Sequence, residues 1–180
     1  MQQHSETSLC RERLSKFCTG VGLDIGYGGD PIVESAITVD LIPAGVKPHI
    51  YPQAAQNIYG DGGNLYWFSS NSLDYVYSSH MLEDLDYLQQ MAALNEWERV
   101  LKIGGLIVLY LPDEKLYRAH CDKAGKPRNS NHKNEDFSLV WFIEKLLSEI
   151  NNVEIVHSNP HCEKYSFEIV MKKVENKNDK

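Results

Sequence analysis

Seven short apolar runs recur along the chain, and this recurrence limits its folds more than any other feature. They are residues 21–25 (VGLDI), 36–42 (AITVDLI), 56–61 (QNIYGD), 73–79 (LDYVYSS), 104–112 (GGLIVLYLP), 153–158 (VEIVHS) and 165–174 (YSFEIVMKKV). Runs this short and this rich in β-branched and aromatic residues read as strands. Helical patterns separate several of them. Over 81–102, Leu85, Leu88, Ala92, Trp97 and Leu101 fall near one helical face, and over 138–150 so do Leu139, Phe142, Ile143, Leu146, Leu147 and Ile150. Strands that are apolar throughout need cover on both faces, so the alternation predicts a doubly wound, mostly parallel α/β sheet. No helical pattern separates the last two runs, so they should pair as a hairpin at one edge, with one strand antiparallel. The early crossovers are short. Only 31–36 is free for a first helix, with Asp30 to cap it and Pro31 in its first turn. Three prolines between Ile42 and Gln56 argue against a full second helix.

The chemistry concentrates in the stretch VGLDIGYGGDPIVESAITVDLI, residues 21–42. Ligands of such sheets bind beyond the carboxyl ends of the strands, where glycine lets the backbone approach closely. An acid ending the second strand, here Asp40, can accept both hydroxyls of a ribose. A dinucleotide site calls for G-x-G-x-x-G and a helix N-terminus facing a pyrophosphate. This turn instead carries Gly26, Gly28 and Gly29, then Asp30 and Pro31, with Asp24 before it. Carboxylates beside the turn suit a cationic ligand better than a diphosphate.

At this point the sequence resembles class I S-adenosylmethionine-dependent methyltransferases, in particular small, type 11-like members. LDIGYGG resembles their first motif, commonly D-x-G-x-G-x-G. TVDLIP, YGDGGNLYWFSSNSLDYVYSSHMLEDL and LNEWERVLKIGGLIVLYLPD follow in the family's order, covering 21–113. The resemblance implies a Rossmann-like, seven-stranded methyltransferase fold with an antiparallel edge strand and shortened early helices. It implies an N-terminal helical segment over 1–20, the methyltransferase-like domain over 21–174 and a disordered tail over 175–180. It also implies a cofactor, S-adenosylmethionine. Carried over by position, Asp24 would act on the methionine ammonium, and Gly26, Tyr27 and Gly28 would wrap the methionine part. Asp40 would bind the ribose, Leu41 would pack on the adenine, Asp61 would accept its amino group with the Gly62 amide on a ring nitrogen, and Ser78 would face the methionine end. The sequence departs from the pattern at Asp30 (third glycine position), Ile103 (often proline) and Asp84 (often histidine).

Methyl transfer needs orientation and, for some acceptors, removal of one proton. His80, just after the fourth strand, is the candidate base; its alternative is a packing role at the following helix. The polar stretch CDKAGKPRNSN, between His120 and His132, reads equally as an acceptor-site lid or a plain loop. Tyr27 and Tyr66 are candidates to border the cofactor, while Trp67 and Phe68 should pack. His157, His161 and Cys162 lack a fourth ligand, so no metal is expected.

A net charge of −7 with no basic stripe disfavours a nucleic-acid partner. The polar start and the absence of a run of about 20 apolar residues disfavour a secretory signal or membrane span. Four cysteines without a C-x-x-C pair fit a reduced, cytoplasmic protein. The expected activity is methyl transfer to a small-molecule acceptor of unspecified identity, in an unspecified oligomeric state. The alternative is a non-catalytic domain that binds S-adenosylmethionine, S-adenosylhomocysteine or a protein partner; nicotinamide-dependent oxidation is a more distant rival.

Overall fold

The structure is a computed structural model that describes residues 4–176. The tail expected beyond 174 therefore lies largely outside the described residues, as do the first three positions. The chain runs α1 (Glu6–Leu14), β1 (Gly22–Ile25), β2 (Ile37–Asp40), β3 (Ile58–Tyr59), β4 (Leu73–Ser79), α2 (Tyr87–Val100), β5 (Leu101–Pro112), α3 (Glu114–Ala124), β6 (Val153–Cys162) and β7 (Ser166–Lys173). An irregular helical stretch before β6 joins an α turn (Leu139–Trp141), a π segment (Phe142–Leu146) and a 3₁₀ turn (Leu147–Glu149). All seven strands form one sheet in the order β3-β2-β1-β4-β5-β7-β6. β1 to β5 are parallel, and β7 runs antiparallel to both β5 and β6. This is the doubly wound sheet that the alternation predicts, with the hairpin at one edge. Strand order reverses between β1 and β4, which places a ligand crevice above the ends of β1 and β2.

The two faces of the sheet are covered unequally. On one, Leu23, Ile25, Val76, Ile107 and Leu109 meet Leu94 and Trp97 of α2 and Phe142 and Leu146 of the irregular helix. The α2 face is set further round than the periodicity suggests. Gln90, Ala93, Leu94, Trp97 and Val100 are buried, while Leu88 is 77% exposed and Ala92 is also exposed. Gln90 can be buried because its amide donates to the Leu82 and Leu85 carbonyls at 2.9 and 3.1 Å.

On the other face, Tyr75, Tyr77, Val108, Tyr110 and Val170 lie under α1 with Ile32 and Ala36. Thr7, Cys10 and Leu14 make the buried stripe of α1. Tyr77 donates to Thr7 Oγ1 at 3.2 Å, and Arg13 Nε sits 2.5 Å from Glu168 Oε1, a carboxylate that is otherwise buried.

This role of α1 explains the crossover from β1 to β2, which forms turns and bends where a short helix over 31–36 is expected. Asp30 caps nothing there. Its carboxylate is taken by the hydroxyl of Ser5, the N-cap of α1, and by the guanidinium of Arg11 in the last turn of that helix. The Ile32 N–H that a helix would use donates instead to Asp24 Oδ2 at 2.7 Å. The proline-bearing connection from β2 to β3 also contains no helix. It folds back over the glycine turn, with Gln53 and Ala54 N–H groups both 3.2 Å from the Gly29 carbonyl.

Candidate active site

A crevice of about 150 Å³ opens at the ends of β1 and β2. Gly26, Asp40, Leu41, Asp61 and Gly62 line it, together with Met81 and Leu85. Five of the positions named from the sequence thus converge on one space. Asp40 ends β2 and accepts the Leu41 amide at 2.7 Å and, more distantly, the Gly28 amide at 3.4 Å. A carboxylate offers about four lone-pair sites, so two remain for ligand hydroxyls. Asp61 accepts the Gly63 amide at 2.8 Å through one oxygen, leaving the other free for a ligand donor. Gly62 lies so close to Ile25 that a Cβ there would collide with its side chain, and its carbonyl accepts Trp97 Nε1 at 2.7 Å. Leu41 is 68% exposed, a flat apolar surface at the rim.

Asp24, Tyr27, Gly28 and Ser78 do not line the crevice; they build its floor and frame. Ser78 is fully buried and donates to the Ile25 carbonyl at 2.9 Å, fixing the end of β1. Tyr27 is buried and donates to the Ala54 carbonyl at 3.2 Å, tying the turn to the connection above it. Asp24 is buried, and its Oδ1 has no hydrogen-bond partner. Burial pushes its carboxyl well above the usual range; the Ile32 amide opposes this and the Asp30 charge adds to it. A cation brought near Asp24 would restore its ionised form. Tyr66, expected to border the cofactor, is instead 76% exposed, edge-on to Trp67 and outside the crevice lining. Trp67 and Phe68 pack against the core, as expected.

The polar groups fit a nucleoside, but the volume is below the roughly 300 Å³ at which small-ligand pockets begin. Met81 is one reason. Its Cγ would lie 3.0 Å from a Cβ at Gly26 and its Cε 3.7 Å from one at Gly62, so the side chain spans the turn. Methionine is unbranched and flexible, so it can vacate such a space at small cost. Sequence reasoning does not single out Met81, whose position directly after His80 is the available signal.

His80 turns away from the crevice. Its backbone has φ 50°, in the left-handed region where histidine is among the more tolerated residues. The ring sits 3.4 Å from Glu83 and 3.5 Å from Glu6, with Nε2 3.3 Å from Ser166 Oγ. Burial favours the neutral ring, but the Glu83 and Glu6 carboxylates outweigh it and raise the pKa. The first four residues of the stretch between His120 and His132 are helical: α3 runs from the Asp113 cap to Ala124, and Gly125 ends it in the left-handed conformation. The loop after it is pinned by His132 Nδ1 to Glu114 at 2.5 Å and by the Lys133 amide to the Glu83 carbonyl at 3.0 Å. His157 pairs with Glu168 at 3.3 Å, and among the described residues no His, Cys, Asp and Glu group is arranged to hold a metal ion. The four cysteines are free and buried, and no described helix is long and apolar enough to cross a membrane.

A larger hollow of about 580 Å³, around Ile103, Gly104 and Lys172, lies at the opposite end of the sheet from the strand ends that bind ligands in this architecture.

A mostly parallel sheet in this order, with a glycine turn after β1 and acids at the end of β2 and after β3, defines a doubly wound α/β class of protein. A family model described as a methyltransferase domain matches residues 19–109, and the chain belongs to that family. No curated protein matches it. Among solved structures, a SAM-dependent methyltransferase from Archaeoglobus fulgidus is similar at TM-score 0.67 and 18% identity, over 93% of this chain and 94% of that one. A Pyrococcus horikoshii protein gives TM-score 0.69 and 16% identity over 92% and 88%. A Burkholderia thailandensis 1,6-didemethyltoxoflavin-N1-methyltransferase, crystallised with its substrate and S-adenosylhomocysteine, gives 0.66 and 13% over 95% and 79%. At these identities the likeness is one of fold.

Proposed function

We propose that the protein transfers a methyl group from S-adenosylmethionine to a small-molecule acceptor. The observation that carries this reading is the convergence of Asp40, Asp61 and Gly62 on the crevice beside the glycine turn. When bound, the cofactor supplies an electrophilic methyl group, and the chain's residues orient it. Asp40 accepts the ribose hydroxyls, and Asp61 and the Gly62 amide read the adenine edge against Leu41. Gly26, Tyr27 and Gly28 shape the methionine end, Asp24 supplies negative charge beneath it, and Ser78 holds the strand end in place. Met81 leaves the turn as the site fills. Calorimetric titration with S-adenosylhomocysteine should show stoichiometric binding, followed by transfer of labelled methyl from S-adenosylmethionine to an acceptor. Absence of binding would overturn the reading.

His80 is the proposed proton acceptor and acts above its raised pKa. The same shift has a consequence for stability. A histidine whose folded pKa exceeds the unfolded value of about 6.5 stabilises the fold fully below that pH and loses the contribution as pH rises through the folded value. The melting temperature of the parent should therefore exceed that of His80→Gln most near pH 6 and converge toward it by about pH 9. A gap that widens with rising pH would contradict the assignment of Glu83 and Glu6 as its partners.

A further inference from the structure

His80 and Glu83 stand three residues apart, and the chain between them turns back so that their side chains meet. His80 follows the last residue of β4, its backbone in the left-handed region and its amide donating to the Tyr110 carbonyl at 3.0 Å. A 3₁₀ turn follows over Leu82–Asp84. It is held from two sides, by the Gln90 amide on the Leu82 carbonyl at 2.9 Å and by the Lys133 amide on the Glu83 carbonyl at 3.0 Å. The result sets Glu83 Oε1 3.4 Å from His80 Nδ1.

The Glu83 carboxylate is shut off from water and short of donors. Its side chain is 2% exposed, and Oε2 makes no hydrogen bond. Among the described residues Oε1 has two ion-pair partners, both imidazoles. The second, His132, presents Nε2 at 3.9 Å, beyond hydrogen-bond reach, and turns its Nδ1 to Glu114 at 2.5 Å. A buried carboxylate left without a donor is costly, so the N–H that Glu83 takes is that of His80 Nδ1.

The other nitrogen of His80 meets different company. Nε2 lies 3.3 Å from Ser166 Oγ and 3.5 Å from Glu6 Oε2. Glu6 competes for the ring proton but needs it less, because its side chain is 33% exposed and its Oε1 already accepts the Tyr165 hydroxyl at 2.9 Å. The Ser166 hydroxyl can donate to an unprotonated Nε2. Asp84 is the remaining acid near the ring, and the Tyr110 and Tyr165 rings lie beside it with centroids at 5.4 and 6.1 Å. Ser166 also lines a hollow of about 470 Å³ between α1, α3 and the β6–β7 turn, so Nε2 points to that side.

We propose that Glu83 is the positioning residue for His80: it fixes the neutral ring with Nδ1 protonated, which leaves Nε2 to receive the methyl acceptor's proton through Ser166. The proposal rests on the methyl-transfer reading above, in which His80 is the proton acceptor. As the acceptor's nucleophilic atom bonds to the methyl carbon, the carbon–sulfur bond breaks and its electron pair stays on sulfur. The acceptor's proton passes to Ser166 Oγ while the Ser166 proton passes to Nε2. The ring becomes an imidazolium whose new N–H faces Glu6 Oε2 and whose Nδ1–H stays on Glu83.

The test reads the ring itself, by long-range proton–nitrogen correlation spectra of isotope-labelled histidine over a pH series. His80 is assigned by the signals missing from His80→Gln. Above its titration the parent should show the Nδ1–H tautomer. Glu83→Gln, nearly isosteric but uncharged, should lower the ring's proton affinity at least about ten-fold, the low end for loss of a charge partner at this range. Glu83→Met, which offers no comparable acceptor, should move the neutral ring's proton to Nε2. Ser166→Ala should leave Nδ1 protonated and shift the Nε2 resonance, which loses its donor. An Nε2–H ring in the parent, an unchanged proton affinity in Glu83→Gln, a tautomer unmoved in folded Glu83→Met, or an Nε2 resonance indifferent to Ser166→Ala would each overturn the proposal. Titration of the parent with S-adenosylhomocysteine runs alongside. Binding combined with any of those spectra sinks this proposal alone, whereas absence of binding removes the methyl-transfer reading and the role of Glu83 with it.

Discussion

Gly29→Ala is expected to destabilise the fold by about 2–4 kcal/mol, the range of a strained backbone combined with overpacking. The residue has φ +100°, where side chains are rarely tolerated, and a Cβ there would overlap the Tyr51 carbonyl oxygen. That carbonyl belongs to the backbone and cannot swing aside as a side-chain tip could. The connection above the turn is fastened at this same glycine, whose carbonyl accepts both Gln53 and Ala54. For a chain of 180 residues the loss corresponds to roughly 5–15 °C in melting temperature. Gly28→Ala is the matched control. Its φ is +59°, but a Cβ would meet only the edge of the Tyr51 ring at 4.0 Å, so the cost should stay near 1 kcal/mol. Equal melting temperatures for the two variants would show that the connection does not rest on Gly29 as described.

Asp40→Ala is expected to weaken S-adenosylhomocysteine binding by about 10- to 100-fold, or 1–3 kcal/mol, through the loss of charge-assisted hydrogen bonds to the ribose. The carboxylate also accepts the Gly28 and Leu41 amides, so Asp40→Asn separates the two effects. Asparagine keeps an acceptor for the Leu41 amide, loses the charge and sets its NH2 toward the Gly28 amide, a contact already long at 3.4 Å, so it should stay within about 1 kcal/mol of the parent's stability while binding more weakly. Calorimetry and thermal unfolding on the same samples read both quantities. Parent-like affinity in Asp40→Ala would remove Asp40 from the site.

What the sequence disclosed was mostly local. The β-branched runs mark the strands because a strand's residue preferences are expressed within a few positions. The glycine turn and Asp40 mark the crevice because the ligand's demands fall on consecutive residues. The missed features have physical reasons. A helical segment is expected over 1–20, but the face by which α1 packs, Thr7, Cys10 and Leu14, is too polar to show that it covers the sheet. α3 is polar enough to read as loop, although Asp113 and Gly125 are a legitimate cap and stop. Periodicity placed Leu88 inside α2 and overlooked Gln90, because a buried amide is admitted only when carbonyls are waiting for it, and those lie in the preceding turn. The hollow of about 470 Å³ lined by Glu6, Leu9, Tyr110 and Tyr165 was the least legible. Its central hydrogen bond joins Glu6 to Tyr165, partners that only the folded sheet brings together.

The unequal covering of the sheet has a dynamic consequence. On the α1 side, a helix of nine residues shelters Tyr77, Val108 and Val170 together with Ile32 and Ala36, and the same helix contributes Glu6 and Leu9 to the neighbouring aromatic hollow. Lifting that helix would wet the sheet's centre and unwall the hollow in one motion. Solvent exchange of the helix's amides and the escape of a small molecule from beneath it would then share a single opening event, and the pace of one would report on the other.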